Sequence, residues 1–303
     1  MSKPDVLVFG KGGQIGIETV KQFSAFANVV ALDRSDTKYC GDLEDSAGLK
    51  ETIRAVRPNC IVNAAAFTAV DLAENEKDMA ELINSEAVKV IADEAENINA
   101  LLVHYSTDYV FDGSGEHYRD EESPAVPINE YGRSKLAGEK NIISSGCRHL
   151  IFRTSWVYST TGSNFIKTIL RLAKEKVRLN VVSDQFGAPT SAALITDVTA
   201  ECVKKSLVNP NLTGIYNLVS CGETSWLGYA RFIVMVASKL GCVTTLCPQD
   251  IVGTTTSQYQ SVAPRPLNSR LSTAKIKRDF ECVLPDWQED VEGVIASLVL
   301  HEL

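Results

Sequence analysis

Histidine is scarce in this 303-residue chain, with four residues at 104, 117, 149 and 301 and none at a metal-ligand spacing from another. The eight cysteines, at 40, 60, 147, 202, 221, 242, 247 and 282, are scattered and form no Cys-x-x-Cys pair. Together these absences disfavour a zinc site. Several cysteines stand in apolar runs, as Cys60 does in Asn59-Cys60-Ile61-Val62, which reads as reduced core thiols in a reducing compartment. No apolar stretch approaches the length that crosses a membrane. Met1-Ser2-Lys3-Pro4-Asp5 runs directly into a strand-like segment, with no secretory leader expected. The expectation is a soluble cytoplasmic protein. Basic residues are outnumbered, 30 against 38 acidic ones, and none cluster, which excludes a phosphate-backbone binder of nucleic acid. Repeats and low-complexity segments are absent too.

What is present is ordinary globular composition, 45% hydrophobic and 22% charged, enough for a large core or two domains sharing one. Asp5-Val6-Leu7-Val8-Phe9 is a short apolar strand. Gly10-Lys11-Gly12-Gly13-Gln14-Ile15-Gly16 follows it and opens a helix through Phe23 and Phe26. Strand, glycine turn and helix in that order are the setting of a dinucleotide fingerprint. Gly10 permits the tight turn, Gly13 lets the backbone approach a pyrophosphate at the helix N-terminus, and Gly16 allows close helix–strand packing. The second strand, Val29–Leu32, ends on Asp33, placed to bond an adenosine ribose. Arg34 beside it suits the extra phosphate of NADPH, so the choice between NADH and NADPH stays open. Asp42 either caps the helix at 45–56 or borders the adenine.

Further strands are expected at Cys60–Asn63, Leu101–Ser106 and His149–Arg153, with a long helical region over 71–97 carrying Asn84. Small residues at Ala64-Ala65-Ala66 leave room for a cofactor backbone. Thr107-Asp108-Tyr109 leaves the carboxyl end of a strand, where open parallel sheets bind ligands. Residues 112–128 read as a loop or lid. Strands and helices alternate, which predicts an α/β fold: a Rossmann-type doubly wound parallel sheet with a smaller C-terminal α/β substrate domain. The expected division is 1–158 for the nucleotide-binding domain, also receiving 184–210, and 159–303 mainly for the substrate domain. Beyond residue 158 helices are expected at 164–175, 192–206, 225–240 and 287–300, strands at 179–182 and 216–219, and mostly loop over 243–268.

Tyr131-Gly132-Arg133-Ser134-Lys135 sits just inside a helix, and a spacing of four brings Tyr131 and Lys135 to one face. A nearby ammonium favours the phenolate, and such a pair can deliver a proton to an oxygen becoming negative.

The glycine loop, Thr107 and Tyr131-x-x-x-Lys135 resemble the extended short-chain dehydrogenase/reductase superfamily. Within it, Tyr39-Cys40-Gly41-Asp42, Val62–Ala66, Ser106–Phe111, Arg153–Tyr158, Asp184–Thr190 and Arg265–Leu271 resemble the dTDP-4-dehydrorhamnose reductase family. That resemblance implies hydride delivery from NADPH or NADH to the C4 keto carbon of a dTDP-sugar, for surface polysaccharide biosynthesis. It implies Thr107, Tyr131 and Lys135 as the catalytic set. Cofactor contacts follow at Gly10, Gly13, Gln14, Ile15, Gly16, Asp33, Asp42, Leu43, Ala66, Phe67, Thr68, Tyr105, Tyr131 and Lys135. Thr107, Asp108 and Trp156 would meet the sugar, and Arg265 the diphosphate. Some members hold Mg²⁺ between subunits through three glutamates. Here only Glu18 matches, Ala193 and Ser297 occupying the other places, so no metal is assigned and a homodimer stays open. A dehydratase would carry Glu at 109, where this chain has Tyr109. Another sugar-nucleotide reductase or epimerase is the near alternative, and a non-catalytic subunit like the regulatory subunit of some methionine adenosyltransferases is the distant one.

Overall fold

The computed structural model describes residues 3–300, the side chain of Leu300 excepted; Met1, Ser2 and His301 lie outside them. The first half alternates β1 (Asp5–Phe9), α1 (Gln14–Phe23), β2 (Asn28–Leu32), α2 (Ser46–Val56) and β3 (Cys60–Asn63). It continues with α3 (Val70–Ala73), α4 (Lys77–Glu81), a π-helical turn at Leu82–Glu86, α5 (Ala87–Asn97), β4 (Leu101–Thr107), α6 (Glu130–Ser145) and β5 (His149–Thr154). The second half has β6 (Val157–Tyr158), α7 (Phe165–Glu175), β7 (Leu179–Val182), β8 (Phe186–Gly187), β9 (Thr190–Ser191), α8 (Ala192–Val208) and β10 (Gly214–Asn217). It ends with β11 (Thr224–Ser225), α9 (Trp226–Lys239), β12 (Ile251–Thr254), α10 (Ala274–Phe280) and α11 (Trp287–Leu300).

Among the described residues, six strands form one parallel sheet in the order β10-β5-β4-β3-β1-β2. Side chains alternate along each strand, so an unbroken apolar run serves two buried faces. Val6 and Val8 pack on one face with Phe23 of α1, Ile195 and Val203 of α8, and Ile276 of α10. Leu7 and Phe9 pack on the other with Leu49 and Ile53 of α2, Ile91 of α5 and Ile142 of α6. The fold is therefore α/β, Rossmann-type, with helices on both faces. A further core unites α7, α9, α11, β7 and β12 through Ile166, Tyr229, Ile233, Ile251, Val291 and Ile295. The chain crosses between these bodies: α8 packs on α1 and β10 pairs with β5, whereas α9 lies with α7 and α11.

Two local expectations differ from the structure. The helical region at 71–97 is broken into pieces around the π turn. Asn84 in that turn is buried, accepts from Phe67 N–H at 2.9 Å, and donates to Phe67 O and Ser134 Oγ, both at 3.0 Å. Neighbouring α6 comes close enough that a Cβ on Gly138 would lie 2.2 Å from Asn84 O. Those tertiary bonds outweigh an uninterrupted local helix. In the expected loop 243–268, residues of β12 pair in parallel with β7, and Ile251 is buried.

Strand order reverses at β1, with β2 on one side and β3 on the other. A crevice at the carboxyl ends of β1 and β3 is the ligand position that topology produces. Gly10 sits there with φ +86°, and a Cβ on it would lie 2.6 Å from Ala65 N. Helix α6 is aimed into the same crevice. Its N-cap Asn129 accepts from Gly132 N–H at 2.7 Å and donates to Pro264 O at 2.9 Å, and Gly146 ends it with φ +78°.

Candidate active site

A cavity of about 560 Å³ opens at this switch point. Its floor comes from Gly10, Gly13, Gln14 and Ile15 with Asn63–Ala66 and Thr68. Its walls come from Tyr105–Tyr109, Tyr131, Lys135, Thr154–Val157 and Trp226. The expected residues Gly10, Gly13, Gln14, Ile15, Ala66, Thr68, Tyr105, Thr107, Asp108, Tyr131, Lys135 and Trp156 are thus brought together.

Others stand back from it. Gly16 lies under the loop, where a Cβ would come 1.9 Å from Gly10 O. Asp33 accepts from Ser35 N–H at 2.9 Å and Ser35 Oγ at 2.6 Å, bonds that hold its carboxyl below the usual range. Asp42 accepts from Glu44 N–H at 3.0 Å, while Asp45 is the residue that caps α2. Leu43 belongs to the buried core with Leu32 and Leu49. Phe67 is held by its backbone on Asn84. Arg265 pairs with Asp71 at 2.7 Å and donates to Tyr109 Oη at 3.3 Å, one residue removed from the lining.

The reactive groups share hydrogen bonds. Thr107 Oγ1 donates to Asp108 Oδ1 at 3.1 Å and accepts from Tyr109 N–H at 3.1 Å. Ser269 Oγ donates to Asp108 Oδ2. Burial pushes the Asp108 carboxyl up to about 7, against the opposing hydroxyls of Ser269 and Thr107. Burial, then the Asp108 charge, pushes the Tyr131 phenol up from its ordinary value, while a Thr107 hydrogen bond opposes them. The expected lowering by Lys135 does not offset that rise, and the lysine's nitrogen is engaged elsewhere. It donates to Tyr105 O at 2.6 Å and lies 3.1 Å from His104 Nε2. Lys135 is only 1% exposed, and burial lowers it to about 8 with Glu139 opposing. Glu139 is itself tied to Ser106 Oγ at 2.5 Å and to Arg153 Nη2 at 2.7 Å.

Trp156 adopts a left-handed backbone, φ +49°, and stacks on Trp226 with ring centroids 3.8 Å apart. Strain of this kind persists where packing holds it, commonly at ligand sites. Trp226, Tyr109, Ser269, Asn63 and His104 join the site without having been singled out. The strand ends were legible for Asn63 and Tyr109, and His104 lies in the strand expected at Leu101–Ser106. Ser269 lies within the Arg265–Leu271 stretch that carries the resemblance, though nothing local paired it with Asp108, and for Trp226 no local signal exists.

The cavity suits a dinucleotide. The first turn of α1 has Gly13 at its N-cap and no side-chain cap, which leaves amide donors for a phosphate, and the glycine and alanine floor leaves space beside it. The model of the RmlD substrate binding domain family matches residues 4–300. This chain belongs to that family. The dTDP-4-dehydrorhamnose reductase of Escherichia coli strain K12 is 47% identical over 294 residues, covering 97% of this chain and 98% of the relative. The crystal structure of dTDP-4-dehydrorhamnose reductase from Bacillus anthracis in complex with NADP superposes with a TM-score of 0.87 at 30% identity, over 98% of this chain and 100% of that one. The ortholog from Clostridium acetobutylicum also reaches 0.87 at 30% identity, over 99% and 100%.

The magnesium of some family members does not fit these residues. Glu18 is buried with Oε2 lacking a hydrogen-bond partner and 3.5 Å from Lys21 Nζ, and Ala193 and Ser297 offer no carboxylate. Among the described residues no three His, Cys, Asp or Glu side chains gather at metal-holding distance.

Gly16→Ala tests the loop. Its methyl must displace Gly10 O, so the variant is expected to lose about 1–3 kcal/mol of stability and to bind nicotinamide nucleotide at least about tenfold more weakly. Denaturant unfolding and a fluorescence titration read the two effects; unchanged affinity would detach the loop from nucleotide binding.

Proposed function

We propose that this chain reduces the C4 keto group of dTDP-4-dehydro-L-rhamnose to dTDP-L-rhamnose, using NADPH or NADH, in nucleotide-sugar biosynthesis for surface polysaccharide. The observation that carries this reading is the meeting of Thr107 and Tyr131 in one cavity with an uncapped helix start and a glycine floor. Gly10, Gly13, Gln14 and Ile15 hold the nucleotide's diphosphate side, and Asp33 its adenosine ribose. Ala66, Thr68, Tyr105 and Lys135 line the way to the nicotinamide end. A reduced nicotinamide nucleotide, when bound, supplies the hydride.

The chain's own residues manage the proton. Burial keeps the Tyr131 phenol protonated at neutral pH, the form a proton donor needs. Thr107 lies beside it, and its hydroxyl, on turning from Asp108 to the substrate, is a second donor for the same carbonyl oxygen, where a hydrogen bond stabilises developing negative charge. Tyr131 then passes its proton to that oxygen. Asp108 and Trp156 face the sugar, and Arg265, steadied by Asp71 and Tyr109, serves the sugar nucleotide's diphosphate. With Tyr109 after Asp108, the acid–base pair for water loss is missing, which supports reduction over dehydration. The same reading has the enzyme working in the cytoplasm with its cysteines as free thiols, and leaves room for a homodimer.

The test is turnover. Purified protein with dTDP-4-dehydro-L-rhamnose should consume NADPH or NADH and yield dTDP-L-rhamnose. Nucleotide binding without product would sink the catalytic reading in favour of a binding subunit.

A further inference from the structure

We propose that Trp226, tethered by Gln185, is a positioning residue that holds the Trp156 indole at the angle from which it meets the sugar. The proposal rests on the reading above, in which Trp156 faces the sugar.

Trp156 does not fix its own conformation. Its backbone sits at φ +49°, where a residue with a Cβ is strained, so its neighbours must hold it there. Trp226 lies nearly parallel to it, with 16° between the ring planes and 3.8 Å between the centroids. Gly187 lets its own backbone approach the same indole, since a Cβ there would lie 2.9 Å from Trp156 Cε2. These two neighbours arrive together. Strand β11 pairs antiparallel with β8, Thr224 opposite Gly187, and runs directly into α9, whose first residue is Trp226.

Trp226 is fixed in turn by a chain of hydrogen bonds. Its indole N–H donates to Gln185 Oε1 at 3.1 Å. An indole nitrogen can only donate, so the oxygen of the Gln185 amide faces it and the NH₂ faces away. That NH₂ donates to Thr256 Oγ1 at 3.1 Å, and Thr256 Oγ1 donates to Asp184 Oδ1 at 2.7 Å. The chain thus runs in one direction and ends on a carboxylate, which also accepts from Thr256 N–H at 2.9 Å. Gln185 is 7% exposed, so water competes little for its bonds.

Both indoles line the cavity, but they are not equivalent. Trp226 has spent its one polar hydrogen on Gln185. The N–H of Trp156 has no partner among the described residues. Trp156 is therefore the member of the pair that can donate to a sugar hydroxyl, and Trp226 supplies the flat surface that sets its angle. Trp226 acts on the substrate through Trp156.

The experiment uses the full chain, whose three tryptophans are at 156, 226 and 287. Stacked indoles couple, so wild type should show an exciton couplet in far-ultraviolet circular dichroism and Trp226→Leu should lose it. In Trp226→Leu the KM for dTDP-4-dehydro-L-rhamnose should rise about tenfold, with nicotinamide nucleotide affinity within about twofold. Trp226→Phe keeps a ring to stack and should recover most of the KM. In a Trp156→Leu background, Trp226→Leu should change KM by less than about twofold further, as one residue acting through another requires. Gln185→Leu keeps both indoles, and should weaken the couplet and raise KM in the same direction, which tests the tether even if Trp226→Leu fails to fold. A wild type without the couplet overturns the proposal. So do additive KM effects in the double variant, or a folded Trp226→Leu that loses nucleotide affinity and sugar affinity evenly. A wild type with no turnover counts against the reading above instead. The same cycle is then measured on binding of dTDP-L-rhamnose, and additivity or no binding there overturns the proposal.

Discussion

Tyr131→Phe is expected to lower kcat by about 1,000-fold, within the range by which positioned general acids accelerate proton transfer. Nucleotide affinity should stay within about twofold, because the change removes one oxygen from a side chain whose ring remains packed edge-on against Tyr109 at 5.8 Å. The split matters more than either number. A purely structural tyrosine would take binding and turnover down together. Stopped-flow nicotinamide oxidation for turnover and a fluorescence titration for binding separate the two, and a kcat within tenfold of wild type would remove Tyr131 from proton delivery. The raised phenol also predicts no loss of rate from tyrosine ionisation across neutral pH, since the donor form persists above the ordinary tyrosine value.

Lys135→Met should impair both quantities. Methionine fills much of the lysine's volume, so the fold is expected to survive. Tyr105 O loses its donor, at a cost of about 1–3 kcal/mol in unfolding free energy for the orphaned carbonyl. Nucleotide affinity should fall about tenfold through the lost hydrogen bond, and kcat by about 100-fold or more. Full nucleotide affinity in a folded Lys135→Met protein would place the lysine outside the nucleotide's reach. The contrast with Tyr131→Phe separates a group that delivers the proton from one that also holds the cofactor.

Much of this site was legible from local pattern. Gly10 and Gly16 between an apolar strand and a helix demand a close backbone approach, and the structure supplies it, at Ala65 for Gly10 and at the carbonyl of Gly10 for Gly16. Tyr131 and Lys135 lie on the same helix, and both line the cavity. What pattern could not show is where the lysine's nitrogen points. A spacing of four places two side chains on one face, but the partners that face meets belong to β4, another part of the chain. His104 and Tyr105 capture Lys135, while burial and the Asp108 charge raise the tyrosine where proximity alone argued for a fall. Asn84 is a similar case. On a helix its polarity fits either solvent or support, and only the approach of α6 and the Phe67 backbone decides between them.

The sequence by itself determined the alternating parallel sheet, the glycine turn that opens its first helix, and the family to which the chain belongs, because each rests on periodicity or on short contiguous motifs. Tertiary structure decided the rest. It brought Trp226 against Trp156 and Ser269 against Asp108, across 70 and 161 positions of chain. It broke the long helix at Asn84, and it turned Lys135 toward a buried histidine. The physical reason is common to all four. Burial and the direction of a hydrogen bond depend on what packs opposite a residue, and that neighbour is chosen by the fold as a whole.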